Sequence, residues 1–199
     1  MTLSPTTRAS LLLRLRDSQD HEAWLEFVSL YEPVAYRLLR RRGLQDADAR
    51  EVMQELFIAV SRSIDRWDPA KERGSFRGWL SRVTRNLLIN WLKRRDRRPM
   101  ATGGSDLQAM LEMLPAERDA ETAEFDQELR RALFQRAAEQ VRREVQPATW
   151  QAFWETAVVG ASPAQAAVKL GMQAGAVRVA KCRVLVRLRA AINELEKGS

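Results

Sequence analysis

Apolar residues recur every three or four positions along most of the chain, and this spacing predicts α-helices. Alternating apolar and polar runs, which are typical of strands, do not occur. Asp20 and Ser162 are good N-cap residues, while Gly43 and Gly171 suit helix ends. Pro33 predicts an interruption, because proline lacks a backbone donor. We therefore predict an all-α fold with helices over about residues 8–17, 21–42, 46–63, 75–95, 121–144, 147–159 and 174–195, and a short helix that opens at residue 162.

The predicted helix at residues 46–63 has two contrasting faces. Its apolar stripe, which predicts a buried face, consists of Ala49, Val52, Met53, Leu56 and Val60. Its outer face carries Glu51, Gln54, Glu55 and Ile58. A single exposed isoleucine is ordinary on a protein surface. An isoleucine surrounded by acids and an amide can equally be a docking point for a protein partner.

Residues 99–120 break the helical pattern and predict a linker, because they contain the sequence Ala-Thr-Gly-Gly-Ser-Asp and two prolines. We expect a small helical domain on each side, at residues 8–98 and 121–196. Charge follows a similar division, since residues 1–98 and 129–199 each carry a net charge of +7 and residues 99–128 carry −7. Basic domains attract nucleic acid or acidic membrane surfaces, although arginine-rich helices can also be merely solvated.

The helix at residues 75–95 combines arginines with aromatic side chains. One side carries Leu80, Val83, Thr84, Leu87 and Trp91, and the opposite side carries Arg82, Arg85, Asn86 and Lys93. Aromatic faces among arginines can hold unstacked single-stranded bases. They can also belong to the core, and this interpretation is favoured for Trp91. For Trp79 both interpretations stay open.

Residues 162–189 match a helix-turn-helix pattern. Ala167 is small enough for two helices to approach, Gly171 permits a positive φ in the turn, and Val177 anchors the second helix. The second helix has an apolar side and an arginine-rich side, which suits the major groove of DNA. An ordinary helical hairpin is the alternative.

The composition excludes several classes of function. One cysteine and one histidine offer no disulfide framework and no metal-spaced cluster, and no glycine-rich phosphate loop occurs. We therefore expect no enzyme and no cofactor. No apolar run is long enough to cross a membrane, and the first ten residues do not resemble a secretory signal. These features predict a cytoplasmic protein without membrane insertion.

Four segments together resemble the extracytoplasmic-function sigma factors of the sigma-70 family. The first three are A-R-E-V-M-Q-E-L-F at residues 49–57, D-R-W-D-P at 65–69, and R-G-S-F-R-G-W-L-S-R-V-T-R-N-L-L-I-N-W-L-K-R-R at 73–95. They resemble the second domain of that family, and residues 162–189 resemble its fourth domain. The resemblance covers about residues 8–195.

The resemblance implies that the chain binds core RNA polymerase and promoter DNA, with an anti-sigma factor as a conceivable further partner. It implies polymerase binding by Glu51, Gln54, Glu55 and Ile58. It implies capture and melting of the minus-ten element by Arg73, Ser75, Trp79, Arg82, Arg85, Asn86, Asn90, Lys93 and Arg94. It implies reading of the minus-thirty-five element by Arg178, Lys181, Cys182 and Arg183, although Lys181 stands where the family usually has an apolar residue.

The main alternative is a helix-turn-helix transcriptional regulator that does not join the polymerase. That interpretation leaves the arginine and aromatic residues of 75–98 without a role. A nuclease is a weaker alternative, because no metal-binding cluster is present in the sequence.

Overall fold

The computed structural model describes residues 9–68, 75–96 and 118–197, and every structural statement below refers to these residues. All of their regular structure is helical, which confirms the predicted fold class. The α-helices are α1 (Ala9–Arg14), α2 (His21–Arg41), α3 (Asp46–Ser63), α4 (Phe76–Asp96), α5 (Arg118–Glu144), α6 (Pro147–Ala157), α7 (Pro163–Leu170) and α8 (Ala174–Lys197), with a short 3-10 helix at Ile64–Arg66.

The predicted interruption at Pro33 is wrong, because α2 is continuous through that residue. Proline removes one backbone hydrogen bond from a helix interior. The residues around it, Tyr31, Val34 and Ala35, are fully buried. Most helical stability in proteins comes from such packing rather than from local propensity, and here packing outweighs the lost bond.

Asp20 caps α2 as predicted. Its carboxylate accepts a hydrogen bond from the backbone N–H of Ala23 at 2.9 Å. It also accepts one from Arg14 Nε at 2.8 Å. The bond from Arg14, followed by the bond from Ala23, holds the pKa of the Asp20 carboxyl below its ordinary value.

The chain divides into two compact units, a first unit at Met1–Ala132 and a second unit at Leu133–Ser199. The boundary between the units lies inside α5. The sequence placed residues 121–132 in the second domain, whereas here they group with the first unit, in which the ring of Phe125 packs on Tyr31. The predicted linker at residues 99–120 lies, except for its last three residues, outside the described residues. Its role as a domain boundary stays a prediction.

The core of the first unit forms between α2, α3 and α4. Every member of the predicted stripe of α3 is buried, which confirms its orientation. Aromatic rings join the helices, since Phe27 of α2 lies 5.9 Å from Phe57 of α3 and 6.1 Å from Phe76 of α4 between ring centroids. Phe125 of α5 completes this cluster at 6.0 Å from Tyr31.

The core of the second unit fixes a short helix, a tight turn and a long helix. Ser162 and Gln165 form a capping box at the start of α7. Gly171 follows α7 with φ of 63°, as the sequence predicts. Beyond the turn, a small-residue cluster joins α6, α7 and α8 and consists of Ala152, Ala166, Ala167, Val177 and Ala180.

Two glycines of the second unit provide a matched test of this turn. Gly171→Ala should destabilise the unit by about 1–2 kcal/mol, because its φ is left-handed, and no atom lies within 4 Å of the new Cβ to clash with it. Gly175→Ala, in α8 and equally unobstructed, should stabilise the unit by up to about 1 kcal/mol. Urea unfolding, monitored by hydrogen exchange of the α7 and α8 amides, measures the change in stability of the second unit in each variant. Equal effects of the two substitutions would contradict this account.

Candidate functional site

One face of α4 gathers most of the residues that the sequence assigned to the minus-ten element. Residues 79, 82, 86, 90 and 93 follow one another at helical spacing and therefore share a side of the helix. Asn86, Asn90 and Lys93 are exposed, and Trp79 and Arg82 are half-buried. The opposite side is buried and includes Leu80, Leu88 and Leu92.

The other members of that set occupy different positions. Ser75 is exposed, and its hydroxyl accepts a hydrogen bond from Gly78 N at 3.1 Å at the start of α4. Arg85 is half-buried at the flank of the helix. Arg94 is exposed and donates to Glu55 Oε1 of α3 at 2.7 Å. Arg73 lies outside the described residues.

Two tryptophans of α4 differ in exposure. Trp91 is buried, which confirms its core interpretation, and its indole N–H donates to Glu51 Oε2 at 3.4 Å. Trp79 is half-buried, with its ring centroid 5.4 Å from that of Phe76. The partly exposed ring of Trp79 can therefore stack on a base while Phe76 supports it from the core.

A shallow groove of about 430 Å³ runs between α2 and α3. Gln54 and Ile58, two of the four residues assigned to polymerase binding, line it. Ile58 is 42% exposed. Glu51 is exposed beside Trp91, and Glu55 is half-buried in its pair with Arg94.

Sequence reasoning missed the α2 wall of this groove. That wall consists of Trp24, Val28 and Glu32, and Phe57 adds a ring from α3. The spacing of four residues between the α2 members is the signal that could have indicated a shared face. Together these residues give the groove an apolar floor with a polar margin.

The outer face of α8 carries three of the four residues assigned to the minus-thirty-five element. Arg178, Cys182 and Arg183 are exposed. Lys181 is half-buried, and its ammonium donates to the carbonyl of Thr156 at the C-terminal end of α6, at 3.3 Å. Lys181 therefore joins α8 to α6 in this conformation. Sequence reasoning missed Val179, which is 57% exposed between the arginines.

Acidic, histidine and cysteine side chains form no group of three that could hold a metal ion among the described residues. Over the same residues, none of the helices combines the length and apolar character that crossing a membrane requires.

Comparison with known proteins gives matches to a family model and to curated relatives. Residues 27–98 match the family model described as sigma-70 region 2, which covers most of α2, all of α3 and α4. The ECF RNA polymerase sigma factor SigE of Mycolicibacterium smegmatis is 33% identical over 118 residues. That match covers 48% of this chain and 44% of the relative, so the chain spans less than half the length of that relative.

Proposed function

We propose that this chain is an extracytoplasmic-function sigma factor of the sigma-70 family that binds core RNA polymerase and directs promoter-specific initiation of transcription. The observation that carries the proposal is that the match to sigma-70 region 2 contains the polar face of α4 and every residue that lines the α2–α3 groove except Trp24. We assign no catalysis and no cofactor to the chain, and we place it in the cytoplasm. Run-off transcription with core polymerase on a genomic promoter library tests the function.

The α2–α3 groove is the proposed polymerase-binding surface. An exposed apolar side chain, Ile58, lies within a polar margin formed by Gln54, Glu51 and Glu55. Such a centre with a polar rim is typical of protein interfaces. The polymerase element that fits is a helix or helix pair with apolar side chains for the floor and basic ones for the acidic margin.

The polar face of α4 is the proposed minus-ten surface. Arg82 and Lys93 supply positive charge, Trp79 a stacking ring, and Asn86 a hydrogen-bonding side chain. Opening DNA costs about 1.4 kcal/mol per base-pair step. A few side chains cannot supply this over a whole bubble, so polymerase must contribute and the free chain should bind promoters weakly.

The second unit is proposed to read the minus-thirty-five element with α8, in a helix-turn-helix formed with α7. Its exposed arginines suit guanine edges in the major groove. Residues 8–98, 99–120 and 121–196 are then the minus-ten and polymerase-binding part, the linker and the minus-thirty-five part. A regulator that acts without polymerase would use only this last part. It is not favoured, because the family match lies on the first unit.

Substitution in the groove should abolish polymerase binding. Gln54→Ala combined with Ile58→Glu places a charge on the apolar floor, and we expect core affinity to fall at least about 30-fold, the loss of a typical hot spot. Leu13→Glu is the control, because Leu13 is exposed but does not line the groove. A direct binding assay with labelled chain and core polymerase measures both. Unchanged affinity of the double variant would refute the assignment.

Substitution on α4 should slow strand opening more than closed-complex binding. Trp79→Ala removes a stacking ring and Asn86→Ala a hydrogen-bonding group, and loss of one base contact of about 1–3 kcal/mol should slow open-complex formation roughly tenfold. Stopped-flow detection of a fluorescent base in the bubble measures the rate. A template with a pre-melted bubble should restore normal activity. If it does not, these residues have a structural role.

Two arginines of α8 should differ in their effect on sequence preference. Arg178→Ala should relax the preference at one or two base pairs by about 1–3 kcal/mol, because Arg178 lies near the start of the helix, where contact with base edges is closest. Arg189→Ala, further along, should weaken binding to all sequences alike. Selection of randomised minus-thirty-five elements with each holoenzyme distinguishes the two effects. An unchanged motif with Arg178→Ala would show that the register is wrong.

A further inference from the structure

The N-terminal part of α5 buries acidic side chains together with apolar ones. Phe125 and Leu129 are buried, and the ring of Phe125 lies 6.0 Å from that of Tyr31 in α2. Asp126 and Glu128 are buried as well, with 8% and 1% of their surfaces exposed. Acidic residues are almost never buried unless they are paired. We call residues 122–132 the acidic segment.

The contact with α4 involves one ion pair and one close approach. Asp126 accepts hydrogen bonds from Arg77 Nε at 2.5 Å and from Arg77 Nη2 at 3.4 Å. One residue further along, a Cβ on Gly78 would lie 3.3 Å from the hydroxyl of Thr122. The acidic segment therefore lies directly on the first turn of α4, next to Trp79.

The contact with α2 uses two arginines at the end of that helix. Glu128 Oε1 accepts from Arg41 Nη1 at 2.6 Å. Glu124 accepts from Arg42. The side chains of Arg42 and Glu128 are largely withdrawn from solvent, while about half of Arg41 remains exposed. We call Arg41, Arg42 and Arg77 the arginine cluster.

We propose that the arginine cluster is a binding site for DNA phosphates and that the acidic segment is its intramolecular cover, which must leave before DNA binds there. This inference rests on the proposed role of α4 in DNA binding. A guanidinium binds carboxylate and phosphate through the same forked geometry. Arg77 also lies at the start of α4, where the helix dipole favours an anion. Carboxylates of the chain and phosphates of DNA therefore compete for the same arginines.

Exchange of carboxylates for phosphates is energetically accessible. In a buried ion pair, desolvation offsets much of the attraction, and replacing one anion by another leaves the arginines paired. The main cost of release is the re-exposure of Phe125 and Leu129. The many phosphates of nucleic acid and the large surface of polymerase can offset that cost.

A reversible disulfide tests the proposal. Gly78→Cys with Thr122→Cys, in a chain whose single native cysteine is removed by Cys182→Ser, should form a disulfide, because a Cβ at position 78 would lie 3.3 and 3.8 Å from the side-chain atoms of Thr122. The oxidised chain should bind a labelled single-stranded oligonucleotide at least tenfold more weakly than the reduced chain. Its salt slope should be smaller by about 2, corresponding to three lost phosphate contacts. Equal affinity and slope would overturn the proposal.

A second variant tests the cover without a disulfide. Glu124→Gln, Asp126→Asn and Glu128→Gln should raise affinity for the same oligonucleotide several-fold. The matched control removes three exposed acids elsewhere, through Asp65→Asn, Glu139→Gln and Glu194→Gln. An equal gain in affinity in both triple variants would show that the effect comes from net charge alone. It would refute the role of the acidic segment as a cover.

Run-off transcription with core polymerase separates this inference from the proposed function. An unsubstituted chain that is inactive on every promoter would contradict the sigma-factor function, while the DNA-binding comparison would still decide the role of the cover. A reduced chain that is active and an oxidised chain that is equally active would show that the cover does not need to leave. We expect the oxidised chain to lose activity and the reducing agent to restore it.

Discussion

The packing of α4 against the rest of the first unit is the interaction on which its proposed surfaces depend. Leu80, Leu88 and Leu92 are almost completely buried, and together they fix the rotation of the helix about its own axis. That rotation directs Asn86 and Lys93 outward. The same helix carries Arg77, which holds the acidic segment, so one set of apolar contacts positions both the proposed DNA-binding face and the cover proposed for it.

In the second unit, buried side chains likewise fix the rotation of a helix about its own axis. Val177, Val184 and Leu188 set the rotation of α8, and the capping box at Ser162 together with the left-handed Gly171 sets the path of the chain into it. Lys181 adds a hydrogen bond to the last turn of α6. The exposed arginines of α8 are therefore held by backbone geometry and by packing that lies away from them.

Patterns in the sequence predicted the features that depend on residues close together along the chain. The α3 stripe follows from periodicity, and the turn at Gly171 follows from the conformational freedom of glycine. The continuity of α2 through Pro33 could not be predicted, because it depends on packing by residues distant in sequence. The burial of Asp126 and Glu128 was equally hidden, since a run of acids is typical of solvated linkers and only the fold supplies their arginine partners. Lys181 likewise has its contact partner 25 residues away.

The ion pair between Arg77 and Asp126 has an evolutionary consequence. The two residues lie 49 positions apart, on opposite sides of the predicted linker, and both are buried. Loss of either partner leaves an uncompensated buried charge, at a cost of about 3–5 kcal/mol. Recombination between related genes within the linker would combine Arg77 of one parent with position 126 of the other. Chimeras whose parents do not share the pair should therefore hold the acidic segment less tightly against α4 than either parent does.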